Sequence, residues 1–321
     1  MSSEQLPSWP AVDAEDGSLD EQRASWEDQL DRRALDELFA LTHRYRSSAA
    51  YMELLEFVGR FREYAPFNAM LVRIQLPGSQ FVAPPSRWLR DYGRRLKPGA
   101  RPLVILQPRG PVMFVFDVGD TEPVEGAPPL PREVTHPFDV RAGSLGGELD
   151  QTKVNAARDG ISIQLGQAAP QGAGSIRKSQ FQGSVKFQIR KRPKPEYIQV
   201  PVRYEILLNE RHSAETRYAT LVHELAHLYC GHLGTPDPRW WPDRRFVAPD
   251  IAEFEAESVS FLVCQRLGLD SPAEEYLASY VRNYSEPPAL SLECVMKVAG
   301  LIEKMGHTRM KPRKDRGTGV S

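Results

Sequence analysis

Ser213-Ala-Glu-Thr-Arg-Tyr-Ala-Thr-Leu-Val-His223-Glu224-Leu225-Ala226-His227-Leu-Tyr229 is a stretch free of Gly and Pro in which apolar side chains recur at helical spacing. Ser213 suits the N-cap, Glu215 falls in the first turn, and Leu221, Leu225 and Leu228 make one face that can be buried. His223 and His227 then lie one turn apart on an adjacent face. Two imidazoles so placed can share one Zn²⁺, and the Glu224 carboxylate between them can reach a water on the metal. The bland alternative is a solvent-facing helix whose histidines only make hydrogen bonds. Against it, three of the seven histidines in the chain, His223, His227 and His232, fall within ten residues.

A zinc site of this kind takes a third protein ligand and keeps a fourth position for water. His232 is near, but the extended three-histidine pattern requires Gly at 230 and His at 233, where this chain has Cys230 and Leu233. The other source is a later helix, Asp250-Ile-Ala-Glu253-Phe-Glu255-Ala-Glu257. Glu253 and Glu257 share a face at i, i+4, and Glu255 points elsewhere. Such a pair suits one ligand and one carboxylate that orients a ligating histidine through its other nitrogen. Glu253 is the preferred ligand and Glu257 the alternative. A purely structural role for Glu253 also exists, because an Asp250 N-cap would put it at the capping-box position.

The block Thr220-Leu-Val-His-Glu-Leu-Ala-His-Leu-Tyr-Cys-Gly-His, followed by Glu253-Phe-Glu-Ala256-Glu-Ser, resembles the peptidase domain of ImmA/IrrE-type zinc metallopeptidases. It is also similar to the C-terminal domain of ArdC-type antirestriction proteins. The resemblance implies that the third ligand is the Glu three residues before a helical Ala, which maps onto Glu253 before Ala256. Upstream, Arg60-Phe-Arg-Glu-Tyr64-Ala-Pro-Phe-Asn68 and Trp88-Leu-Arg-Asp-Tyr-Gly93-Arg-Arg-Leu-Lys97-Pro-Gly99 are similar to the ArdC-type N-terminal domain, which implies single-stranded DNA binding.

Charge is unevenly spread. Residues 1–43 hold eleven Asp/Glu against three Lys/Arg, and residues 44–110 hold twelve Lys/Arg against four Asp/Glu. Tyr64, Phe67, Phe81, Trp88 and Tyr92 sit inside that basic segment. Arginines for phosphates with aromatics as stacking platforms fit a single-strand groove. Mutual neutralisation of two segments, with the aromatics as core, fits equally well. The net charge of −1 gives the whole molecule no strong pull toward nucleic acid or membrane. Three scattered cysteines, Cys230, Cys264 and Cys294, argue against a disulfide scaffold and suit a reducing, cytoplasmic setting. The first residues lack the features of a signal peptide, and no apolar run approaches the ~18–20 residues that span a bilayer.

With 321 residues the expectation is about two domains. The fold class expected is α+β: a small α+β N-terminal domain, then a zincin-like domain of helices packed on a small β-sheet. Residues 1–17 read as disordered, 18–121 as the N-terminal domain, 122–137 as a Pro-rich linker or surface loop, 138–306 as the peptidase domain, and 307–321 as a basic disordered tail. Helical periodicity is expected over 19–46, 49–62 and after Pro66, with strands near 102–107, 112–117, 161–164, 185–189 and 197–201. The strand at Val185–Ile189 reads either as an edge that aligns a peptide by main-chain pairing or as an ordinary edge strand. Trp240-Trp241 either walls the cleft or plugs a hydrophobic gap. Tyr218, His212 and Tyr204 are oxyanion candidates by nearness in sequence alone.

The chemistry expected is zinc-assisted hydrolysis of a protein or peptide substrate, with Zn²⁺ on His223, His227 and Glu253 and with Glu224 taking a proton from water and passing it to the leaving amine. A DNA-associated regulator is the substrate the resemblance suggests. The alternatives are a single-strand DNA-binding, antirestriction-like protein with an idle peptidase domain, and a regulator that keeps the metal for stability. Glu224 speaks against the last, since a structural site needs no general base between its ligands.

Overall fold

The computed structural model describes residues 45, 47–107, 110–136, 143–167, 174–180, 183–190 and 192–313. The expected disorder of 1–17, the expected helix over 19–46 and the end of the tail lie outside these residues or almost wholly so. The architecture is α+β. Two helices open it, α1 (Ser48–Arg60) capped by the Ser47 hydroxyl and α2 (Pro66–Gln75) opened by its own proline. Strand β1 (Val82–Ala83) pairs with β4 (Gly110–Asp117), which also pairs with β3 (Leu103–Gln107), all antiparallel. Between them lie α3 (Pro85–Tyr92), ended by a left-handed Gly93, and β2 (Arg94–Leu96), which pairs with β5 (Thr121–Pro123).

The prolines of 122–137 do not make a free tether. After β5 the chain forms a single helical turn, α4 (Arg132–Thr135), whose Val134 is buried with Phe81, Trp88, Tyr92 and Phe116 in a small satellite core. Those aromatics are therefore packing residues. Trp88 is 0% exposed and its indole N–H donates to the Phe116 carbonyl, while Phe81, Tyr92 and Phe67 are also buried. The stacking-platform reading of these rings is corrected: a base cannot stack on a ring that the core already covers.

The second half begins with α5 (Glu148–Arg158) and a three-stranded sheet in the order β6 (Ile161–Gly166), β10 (Tyr204–Asn209), β7 (Gly174–Lys178). β10 runs parallel to β6 and antiparallel to β7, which leaves β7 on an edge. β8 (Ser184–Arg190) and β9 (Glu196–Pro201) form a separate hairpin. Helices α6 (Ala214–Tyr229), α7 (Pro249–Leu267), α8 (Pro272–Asn283) and α9 (Leu292–His307) complete the chain. Ser213 caps α6 through the Thr216 N–H. The α7 cap differs from the Asp250 expected: Ala248 is the N-cap and Pro249 occupies the first helical position, where its missing N–H costs nothing.

One hydrophobic core joins Leu54, Leu55 and Met70 of α1 and α2 to Leu221 and Leu225 of α6, Val259 and Leu262 of α7, and Ile302 of α9. The tail expected to be disordered from His307 is held as far as Arg313. Buried Asn155 accepts from the Met310 N–H and donates to the Met305 and Thr308 carbonyls, and Arg313 pairs with Asp159 at 3.0 Å. Among the described residues no helix is long and apolar enough to cross a membrane.

Candidate metal centre

The buried leucine face of α6 fixes where its histidines point. Leu221, Leu225 and Leu228 are fully buried, so His223 and His227 project toward α7, which crosses beside them. Their Nε2 atoms face each other at 3.1 Å. Glu253 of α7 completes the cluster, one oxygen 3.6 Å from His223 Nε2 and the other 3.4 Å from His227 Nε2. Four donors arranged tetrahedrally at zinc bond lengths of ~2.0–2.1 Å lie ~3.3 Å apart along each edge. The histidine nitrogens lie close to that edge length and each Glu253 oxygen lies near a different one of them, so these three residues could hold one ion between them. The shifted α7 cap also removes the capping-box role for Glu253, whose carboxylate turns to the histidines instead.

Glu257, the alternative ligand, sits on the other side of the ring: its carboxylate is 3.5 Å from His223 Nδ1. It is placed to orient His223 rather than to join the three converging donors. Burial disfavours the His223 imidazolium, yet Glu253 and Glu257 outweigh it and lift its pKa to about 10. The histidines in turn hold Glu253 well below the usual carboxylate range. A site so rich in negative charge is primed for a cation.

His232 has a role the sequence did not suggest. Its Nδ1 lies 3.1 Å from His227 Nδ1 and its Nε2 lies 2.9 Å from a Glu255 oxygen. Glu255 is completely buried, takes both Arg244 guanidinium nitrogens at 2.6 and 2.7 Å, and accepts the Ser291 N–H at 2.7 Å. Burial alone would raise the Glu255 pKa, but His232, Arg244 and the Ser291 amide bring it down to about 2. Cys230, His232 and Glu255 make a second group with metal-ligand chemistry. With both Glu255 oxygens committed to Arg244, that group works as a support for His227.

Glu224 is buried, and burial raises its pKa ahead of the lowering pull of His223 and His227. The Ile176 N–H of β7 also reaches its carboxylate. Glu224, His223, Glu257, Thr220 and Gly174 line one cavity of about 240 Å³. The strand beside the site is thus β7, which the sequence reading missed. The β8 strand, read either as a peptide-aligning edge or as an ordinary edge strand, contributes nothing to this cavity. Tyr218 and Tyr204 are buried elsewhere, and His212 is not among the lining residues, so none of the three oxyanion candidates stands in the cleft. Tyr276 of α8 is 39% exposed, and its phenol pKa is raised by burial and then by the charges of Glu257 and Glu253. Trp241 is buried against Tyr229 and Tyr204 and donates to the Gly234 carbonyl, the gap-filling role of the two considered.

Residues 181–275 match the peptidase family described as IrrE N-terminal-like domain. A search of curated proteins finds no match. Among solved structures, the chain is similar to the metal-free crystal structure of the antirestriction protein ArdC from the R388 plasmid, at 15% identity over 75% of this chain and 82% of that one, with a TM-score of 0.30. Over the segment that carries both α6 and α7, the chain resembles the IrrE N-terminal-like peptidase family.

Proposed function

We propose that this protein is a zinc-dependent metallo-endopeptidase in which His223, His227 and Glu253 hold the ion and Glu224 is the general base. The observation that carries the reading is the convergence of three donors, His223, His227 and Glu253, next to a buried carboxylate, Glu224, which lines a cavity together with His223. A bound Zn²⁺ supplies Lewis acidity toward a carbonyl and a lowered pKa for water. The protein's own groups do the rest. Glu224, whose burial makes it hold a proton more readily than a free carboxylate, is suited to take one from water and deliver it to the leaving amine. Among the described residues β7 is an edge strand, and the main-chain groups that Glu224 does not take can pair with an extended peptide. The family resemblance makes a DNA-associated regulator the candidate substrate, and free cysteines suit a cytoplasmic setting.

Single-strand DNA binding by residues 44–110 is the weaker reading. Phe67, Phe81, Trp88 and Tyr92 are core, Tyr64 is half-buried, and several of the arginines are already engaged, Arg87 with Glu63, Arg95 with Glu122 and Arg73 with Glu53. The test measures bound metal and proteolysis together. Wild type is expected to carry stoichiometric zinc, Glu253→Ala to lose most of it, and Glu224→Gln to keep it while failing to cleave host-proteome proteins that wild type cleaves. Full zinc in Glu253→Ala sinks the ligand assignment. Undiminished cleavage by Glu224→Gln sinks the general base.

A further inference from the structure

A second, larger cavity lies away from the metal centre and shares no lining residue with it. It measures about 610 Å³, within the usual size of small-molecule sites, and is walled by Arg158, Phe187, Ile189, Arg190, Arg309 and Lys311, with Met310 and Pro312 beside them. Three segments build it: the end of α5, the β8–β9 hairpin and the strap 308–313. The strap is not loosely laid. Asn155 ties its backbone at Thr308 and Met310 and the helix end before it at Met305, and the Arg313 N–H donates to the Arg158 carbonyl, so Arg309 and Lys311 are presented over the opening.

The decisive residue is Arg158, which is only 5% exposed. Its guanidinium donates to Asn155 Oδ1 at 2.9 Å and lies 5.6 Å from the centre of the Phe187 ring. Among the described residues no carboxylate pairs with Arg158, Arg309 or Lys311. Arg190 is engaged by Glu196. Burial and the neighbouring Arg309 charge both push the Arg158 pKa down, the signature of a cation held without its counter-ion. A buried guanidinium left unpaired is costly, and two more cations beside it add repulsion. Such an arrangement is relieved by an anion, and arginines recognise phosphate oxygens with particular geometric fit. Phe187, Ile189, Met310 and Pro312 give the same cavity an apolar wall suited to a flat heterocycle.

We infer that this cavity binds a nucleotide, its phosphate held by Arg158, Arg309 and Lys311 and its base against the apolar wall. A free mononucleotide and one unit of a single strand present the same chemistry. The site is independent of the metal, so its failure would leave the peptidase reading standing, and the reverse holds as well.

The test is calorimetric titration of the full chain, in wild type and in the Glu224→Gln form, with inorganic phosphate, adenosine monophosphate, a short oligothymidylate and an acidic peptide. Adenosine monophosphate is expected to bind, with affinity falling roughly tenfold in Arg309→Glu and again in Lys311→Glu, as removal of a charge-assisted phosphate contact requires. Both residues are exposed, so the variants are expected to fold, and Arg158→Met is expected to abolish binding. Equal affinity for mononucleotide and strand identifies a free nucleotide as the ligand. Tighter, steeply salt-dependent strand binding identifies nucleic acid, and both support the site. No nucleotide binding, binding unchanged by the charge reversals, phosphate binding as tightly as the nucleotide, or preference for the acidic peptide would each overturn it.

Discussion

His232 receives His227 on one nitrogen and Glu255 on the other, and that fixes which protons the rings carry. If His227 presents Nε2 to the ion, its Nδ1–H must donate to His232 Nδ1, and His232 then donates its Nε2–H to Glu255. Arg244 and the Ser291 amide hold Glu255 in turn, so the orientation of His227 is anchored on a buried carboxylate paired with a half-buried arginine. His232→Ala is expected to weaken zinc binding roughly 10- to 100-fold while leaving the fold intact, the usual cost of losing such a partner. Competition against a chromophoric chelator measures it, and unchanged affinity would falsify the orienting role. The two proposed histidine ligands were legible because helical spacing alone places His223 over His227. His232 was not, because its position depends on how the chain turns after the helix. Gly231 there has φ of 85°, and a Cβ on it would meet the Pro242 carbonyl oxygen at 2.1 Å. That turn folds His232 back, its N–H on the His227 carbonyl, and no sequence pattern gives its direction.

Among elements, the long periodic ones were the readable ones. The α6 helix has a serine cap, an uninterrupted apolar stripe and a length beyond what a strand would take, and it spans Ala214–Tyr229 as read. The strands that matter most to the site escaped. β7 is Gly-Ser-Ile-Arg-Lys, with one large apolar residue, and nothing local distinguishes it from a loop. It becomes a strand because β10 supplies its hydrogen bonds from about thirty residues downstream, a contact that only tertiary structure provides. β10 itself, Tyr-Glu-Ile-Leu-Leu-Asn, was overlooked because it follows β9 after only two residues. Gly174 lets β7 approach the motif helix: a Cβ there would lie 2.6 Å from Thr220 Cγ2 and 2.8 Å from the Leu207 carbonyl oxygen. Gly174→Val is therefore expected to push the edge away from Glu224, destabilise the protein by about 1–3 kcal/mol, and depress peptide cleavage more than zinc content. Thermal unfolding, metal analysis and cleavage assays on one sample separate these effects. Wild-type cleavage in a destabilised variant would show that substrate does not use this edge.

For the whole molecule, composition suggested a division at the prolines of 122–137, and hydrophobic packing does not stop there. Periodicity reveals that a helix has an apolar face but not which distant surface covers it. The faces of α1 and α2 are covered by α7 and α9, two hundred residues away in sequence, so the core that positions Glu253 is made partly by the N-terminal helices. Arg266 is the polar rivet of this joint. It is buried near the end of α7, pairs with Glu303 of α9 at 2.9 Å, and donates to the carbonyls of Val58, Phe61 and Tyr64 at 2.8–2.9 Å. Those carbonyls end α1 and open the loop to α2, where no helical N–H is left to donate to them. Arg266→Ala strips the partners from that helix end and leaves Glu303 unpaired, with an expected loss of about 3–5 kcal/mol. Because the core is shared, the loss should lower a single transition rather than release one half alone. Urea unfolding followed by circular dichroism and by tryptophan fluorescence should give coincident midpoints in wild type and variant, both shifted together. Two separated transitions in the variant would mean that the N-terminal helices are an attachment to the metal-binding half rather than part of the scaffold that sets its geometry.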